Sequence, residues 1–372
     1  MRFTLALSYL TLLTGCWIDK TRLCETGAAQ TPLSCTATTF TDRTNRASAQ
    51  FGAALSLLND ELIVGDPEGQ NALGKTTGLI QSFDTAQPAS HLPFLLIPEE
   101  LNSNGVFGSV VAVSNTFACI GAPNTGAPSV YCYSQPLGPA STSSVSPAKL
   151  SGAPYGKDFA LDGGTLLVAM DKQLFFNTTT LGASGWSEGM LAVADPTATI
   201  TSVALSGSRA VVFSSSTMNG SKLSMLTKSV GGTWELNPQD FPLLSGFKIP
   251  AADAKLAMSG TDLLVTLEPA GSTKQAVVHY SLEAGVWSNP SVVLSNLDPV
   301  TSLSIAGDLA AVGVLGTAWV LRRACGKWES QKLANPPLLR SSFGTAVSVS
   351  GSKVAVGAPT MGDPSVYVYT CN

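Results

Sequence analysis

The chain has 372 residues, of which 44% are hydrophobic and only 12% charged, with a net charge of −4. Its Lys and Arg residues are scattered rather than clustered, which leaves no basic footprint for nucleic acid. Beyond the N-terminus no apolar run approaches the roughly 18 residues a spanning helix needs, so the apolar content points to strands buried on both faces.

In chain order, Met1-Arg2 and the apolar run Phe3 to Leu13 read as the n-region and h-region of a secretory signal. Leu13-Thr14-Gly15-Cys16 then resembles the bacterial lipoprotein signal, in which small residues precede a cysteine that is lipidated before cleavage. The resemblance implies a signal peptide over 1–15, lipidation at Cys16 and a membrane anchor through the acyl chains. Trp17 stands where an aspartate would, in that family, favour the inner membrane, which implies the outer membrane of a Gram-negative envelope. The alternative is an ordinary signal peptide with an incidental cysteine. Residues 16–33 are polar and aperiodic, as in a tether.

Seven cysteines also fit export. Setting aside Cys16 leaves an even set, Cys24, Cys35, Cys119, Cys132, Cys325 and Cys371, with no C-x-x-C spacing of a zinc site.

A repeat then begins at Phe51-Gly52, passes a turn at Asn59-Asp60 and reaches Leu62-Ile63-Val64-Gly65-Asp66-Pro67. It recurs as Phe107-Gly108 to Cys119-Ile120-Gly121-Ala122-Pro123, and in degenerate form near Tyr155-Gly156, Val203, Leu256 and Leu303. Its clearest copy is the last, Phe343-Gly344 to Val356-Gly357-Ala358-Pro359 followed by Ser365-Val366-Tyr367-Val368-Tyr369. From Phe51 to Phe343 there are six steps of about 49 residues. Such a period marks an array whose units bury their faces only against one another.

Each unit carries a hairpin pattern, a third apolar run, and a more polar fourth run introduced by Trp186, Trp234, Trp287 or Trp328. Four strands per unit and seven units predict an all-β fold, a seven-bladed β-propeller of four-stranded blades spanning 34–372. A chain of β-sandwiches is the alternative, but a unit this short cannot hold one.

The order Phe-Gly, hairpin, Gly-Ala-Pro resembles the FG-GAP repeat of integrin α-subunit propellers and their bacterial relatives. The last copy ends at Asn372 after only three runs, so its fourth strand is expected from Ser34 to Phe40. That closure would bring Cys35 to Cys371, and neighbouring strands of the second blade would bring Cys119 to Cys132.

Gly69-Gln70-Asn71-Ala72-Leu73-Gly74-Lys75-Thr76 matches a phosphate-loop pattern, but it leads into a strand rather than the helix that the chemistry needs. Gly185-Trp186-Ser187-Glu188-Gly189 matches a nucleophile elbow, but it falls on the recurring Gly and Trp, and only His91 and His279 exist to act as a base. The first turn of each unit holds at most one carboxylate, which departs from the calcium loops of the resembling family. No catalytic residue, metal or cofactor is assigned.

The loop between strands two and three of the first unit is the longest, and by analogy it lies on the ligand side. Asp66, Glu68, Asn71 and Lys75 are its candidate ligand-binding residues. The expected function is a non-catalytic, adhesion-type binding module of the envelope that takes a protein or carbohydrate ligand on this face. The alternatives are a scaffold subunit of an envelope complex and an extracytoplasmic propeller enzyme.

Overall fold

The computed structural model describes residues 32–44, 50–70, 73–88, 94–96, 106–123, 129–135, 137, 158–170, 172–178, 187–192, 198–216, 220–237, 241–250, 254–283, 285–288, 290–334, 342–359 and 364–372. Among them there is no helix, and the strands form seven small antiparallel sheets. Blade one is built of Ala54–Leu58, Glu61–Asp66, Leu79–Asp84 and Phe94–Leu96, and blade two of Val111–Val113, Phe117–Ala122 and Ser129–Ser134. Blade three has Asp158–Asp162, Thr165–Met170, Gln173–Thr178 and Ser187–Ala192; blade four has Thr199–Ser206, Arg209–Ser216, Gly220–Lys228 and Trp234–Asn237. Blade five runs Leu256–Ser259, Asp262–Pro269, Gln275–Glu283 and Ser291–Leu297, and blade six Val300–Ala306, Leu309–Val314, Thr317–Ala324 and Lys327–Lys332. Blade seven takes Val347–Ser350, Lys353–Ala358 and Ser365–Cys371 from the C-terminus and its outer strand, Cys35–Thr41, from the N-terminus.

The core is a set of layers between blades rather than one central mass. Phe107 and Ile120 of blade two pack on Ile63 and Ile80 of blade one, and Phe343 and Val354 of blade seven pack on Leu309 and Val320 of blade six. The second strands are therefore covered on both sides, and every residue of Phe117–Ala122 and Leu309–Val314 is buried. This is why their apolar runs do not alternate. Each such Leu, Ile or Val contributes roughly 1.5–3 kcal/mol of burial.

The recurring tryptophans reach back towards the preceding blade. Trp234 stacks on Phe176 of blade three at 4.4 Å, Trp287 on Phe241 at 5.0 Å, and Trp328 meets His279 of blade five edge-on at 5.5 Å.

The glycines of the repeat interlock the blades. Gly52 stands at φ +93 and donates its N–H to Gly65 O of its own blade at 3.1 Å. Its carbonyl meanwhile presses on Gly357 of blade seven, where a Cβ would lie 2.0 Å from Gly52 O. The same contact joins Gly108 to Gly65 and Gly344 to Gly313, at 2.0 and 2.2 Å from the would-be Cβ. The Phe-Gly of one blade thus meets the second-strand glycine of the blade before it, and neither backbone leaves room for a side chain.

Two details depart from four regular strands per blade. Blade two has three strands among the described residues, and blade five is enlarged by Phe247–Lys248, which pairs with Glu268 and Pro269, and by Val286–Trp287. Closure is as expected from the termini. Cys35–Thr41 pairs with Ser365–Cys371 over seven positions, and the disulfides Cys35–Cys371 and Cys119–Cys132 are both formed.

Candidate binding face and central channel

The inner strands surround a channel and leave one edge of backbone unpaired, so their lumen-side N–H groups need acceptors. Short polar side chains of the preceding blade supply them. Ser348 Oγ accepts from Leu57 N–H at 2.9 Å, Ser56 Oγ from Val113 N–H at 3.0 Å, and Ser304 Oγ from Val349 N–H at 3.0 Å. Near the first turns Ser206 Oγ accepts from Gly260 N–H at 2.8 Å and Ser259 Oγ from Gly307 N–H at 3.1 Å. Asp158 Oδ2 accepts from Val203 N–H at 3.1 Å, and Ser114 Oγ donates to Gly163 O at 2.9 Å. All seven junctions are bridged by such a side chain, six of them accepting a backbone N–H and Ser114 donating to a carbonyl, which explains the alternating Val-Ser-Val-Ser of the inner strands.

The channel encloses a cavity of about 640 Å³. Its described lining holds two charged side chains, Asp158 of blade three and Lys255 at the start of the inner strand of blade five. Asp158 is half-buried and lines the channel. Burial pushes its pKa up to about 7, against the opposing pull of the Val203 N–H, the Lys255 charge and the Phe159 N–H. That folded value lies above the roughly 3.9 of an unfolded chain, so the native state holds the extra proton between the two. Stability from this group is full below about pH 4 and falls as the pH rises through 7. Asp158→Asn is therefore expected to melt with wild type near pH 4 and above it at pH 8. Thermal melts at the two pH values check this, and a lower melting point for the variant at pH 8 contradicts it.

Loops between strands two and three, and between blades, emerge at the channel end where Asp158 and Lys255 sit, because successive strands run antiparallel. The blade-one loop on this face is a pinned finger. Gly69 O accepts from Thr77 N–H at 3.2 Å and Gly78 N–H at 3.0 Å, Gln70 bridges Thr76, and Gly78 bridges Phe107 of blade two. Beyond this base Leu73 is 80% exposed, with Gly74 and Lys75 also in solvent. Of the four loop residues singled out in the sequence, Lys75 lies at the exposed tip. Glu68 is exposed and accepts from Gln50 Nε2 at 2.6 Å, Asp66 is fully buried beneath the loop, and Asn71 lies outside the described residues.

The opposite face carries the densest ionic cluster among the described residues. Arg323 of blade six grips Asp262 of blade five with two bonds, Nη1 to Oδ1 at 2.6 Å and Nη2 to Oδ2 at 2.9 Å, and reaches Asp308 through Nε at 3.0 Å. His279 Nε2 bonds Asp262 Oδ1 at 2.7 Å, and Arg323 lies 5.5 Å from the Trp328 ring. Burial of Asp262 opposes its ionisation, but the bonds and charges of Arg323 and His279 outweigh it and hold its pKa below the usual carboxylate value. The cluster joins blades five and six and occupies His279. Sequence reading missed it because its members lie up to 61 residues apart and belong to no motif.

The two motif-like stretches run into strands rather than helices. Gly69 to Thr76 leads into Leu79–Asp84, and Ser187 heads Ser187–Ala192, with Gly185 and Trp186 outside the described residues. Cys16, Cys24 and His91 also lie outside them. No group of three His, Cys, Asp or Glu side chains converges on a metal position among the described residues.

These features define a seven-bladed β-propeller closed by its N-terminal strand. No family model matches the chain, and no curated protein matches it. Solved structures do. The chain is similar to the Dos1 propeller, with TM-score 0.56 and 13% identity over 89% of this chain and 94% of that one. It is also similar to the extracellular domain of a putative one-component system from B. thetaiotaomicron, with TM-score 0.53 and 11% identity, covering 90% of this chain and 39% of that one. A chain of the mitotic checkpoint complex matches with TM-score 0.51 and 10% identity, over 88% of this chain and 93% of that one. At these identities the likeness is one of fold.

Proposed function

We propose that the protein is an exported, lipid-anchored, non-catalytic binding module of the cell envelope, built of FG-GAP-type repeats and held at the outer membrane through Cys16. Its protein or carbohydrate ligand lies against the loop face. The observation that supports this reading best is the blade-one finger, whose base is fixed by backbone hydrogen bonds while its tip presents Leu73 and Lys75 to solvent. An exposed leucine beside a cation on a rigid support costs little ordering on contact, which favours recognition. The disulfides Cys35–Cys371 and Cys119–Cys132 support an oxidising compartment.

Two measurements test the reading. Cys16→Ser is expected to move the protein from the membrane pellet to the soluble fraction, and retention in the pellet contradicts the anchor. Capture from intact envelope fractions, run beside a glycan array, is expected to yield a ligand whose binding drops at least tenfold in Leu73→Asp with the melting point unchanged. Equal capture by the variant contradicts the finger's role. A single stoichiometric envelope protein with no glycan signal would replace the adhesion reading by that of a scaffold subunit.

A further inference from the structure

Among the described residues, the ammonium of Lys255 in the channel has no contact partner. Lys255 donates its backbone N–H to Thr266 Oγ1 at 2.8 Å, while its Nζ makes no hydrogen bond or ion pair among the described residues. Asp158 faces the same lumen at the corresponding level of blade three, close enough for the two charges to feel each other without touching. Blade four lies between them and presents Thr201 and Ser202.

The remaining wall is rich in donors. Ser56 and Ser348 each accept a backbone N–H, so each hydroxyl keeps its own proton for the lumen. The only aromatic ring in the described lining is Phe159, so the channel has neither the cage that suits a quaternary ammonium nor a stacking platform on both sides of a ring. The volume of about 640 Å³ falls inside the roughly 300–1,000 Å³ typical of small-molecule sites.

We propose that the central channel binds a short zwitterionic peptide of two or three small residues, its ammonium on Asp158 and its carboxylate on Lys255. Two opposite charges set on blades three and five need a ligand whose own charges are set apart. An extended peptide of this length separates its termini by about 7–10 Å, at roughly 3.3–3.6 Å per residue. The serine hydroxyls meet the peptide carbonyl oxygens. Asp158 must be ionised to hold the ammonium, and Lys255 is the only other charged group in the described lining, so binding follows the ionisation of Asp158.

The test is calorimetric titration of triglycine into the purified full-length protein, with N-acetyl-triglycine amide as the probe that keeps the backbone and removes both charges. Triglycine is expected to bind about fourfold more tightly at pH 8 than at pH 6, because the roughly tenfold rise in ionised Asp158 is partly offset by the peptide's own ammonium, about half deprotonated at pH 8. The blocked peptide should bind at least tenfold more weakly at pH 8. Asp158→Asn and Lys255→Met should each weaken triglycine at least tenfold, and Asp158→Asn should also remove the pH dependence. Leu73→Asp should leave triglycine binding unchanged, which separates this site from the finger. No binding of triglycine, equal binding of the blocked peptide, or full binding by Lys255→Met overturns the proposal.

Discussion

Deleting Ser34–Phe40 is expected to abolish the cooperative unfolding transition of the whole molecule rather than trim a tail. The deleted residues supply all but the last position of the outer strand of blade seven, whose seven paired positions run from Cys35↔Cys371 to Thr41↔Ser365. Phe40 is 2% exposed and packs edge-on against Phe83 of blade one at 5.4 Å, so the strand also seals the seam between blades seven and one. Ser34 and Asn372 exchange hydrogen bonds of 2.8 and 3.1 Å beside the disulfide. That disulfide closes a loop of 336 residues, and chain entropy for so long a loop is worth about 6 kcal/mol at most. The double change Cys35→Ser and Cys371→Ser is thus expected to cost about 3–5 kcal/mol while the strand stays in place. Denaturant unfolding measures both, and an unchanged curve for the deletion contradicts closure by this strand.

Gly344→Ala is expected to destabilise the protein by about 3 kcal/mol or more. The residue sits at φ +90, and a Cβ would lie 2.1 Å from Thr317 O and 2.5 Å from Val314 O, both backbone atoms of blade six. No flexible side chain can yield there. Backbone strain of about 1–3 kcal/mol adds to an overpacking cost of about 1–3 kcal/mol. Gly351→Ala is the matched comparison, because Gly351 has φ +56 in the first turn of the same blade with open space around it. It should cost only about 1–2 kcal/mol, the left-handed preference alone. Guanidinium unfolding of the two variants separates the effects, and equal losses contradict the interlock between blades.

Fold and closure were legible in the sequence because they rest on local signals repeated at a fixed spacing. The Phe-Gly glycines Gly52, Gly108 and Gly344 leave no room for a side chain, and in the copies that lack Phe-Gly the hairpin pattern alone carries the period. Pairing of Cys35–Thr41 with Ser365–Cys371 closes the ring and brings Cys35 to Cys371.

The sites were less legible, for a different reason. Ser56, Ser304 and Ser348 look like ordinary strand serines until the neighbouring blade places an unpaired amide beside each. Asp158 and Lys255 stand in degenerate copies, without spacing to connect them, and meet only because the ring brings blades three and five around one lumen. Asp66 drew notice as a loop carboxylate, yet the chain buries it under the finger and leaves Leu73 outside, and polarity alone does not predict that arrangement.

Closure of the ring by pairing of Cys35–Thr41 with Ser365–Cys371 is tested most directly by non-reducing peptide mapping of the protein isolated from its native source. A linked pair containing Cys35 and Cys371, together with a second containing Cys119 and Cys132, is the expected result. Recovery of Cys35 and Cys371 as free thiols, or joined to other cysteines, would contradict it.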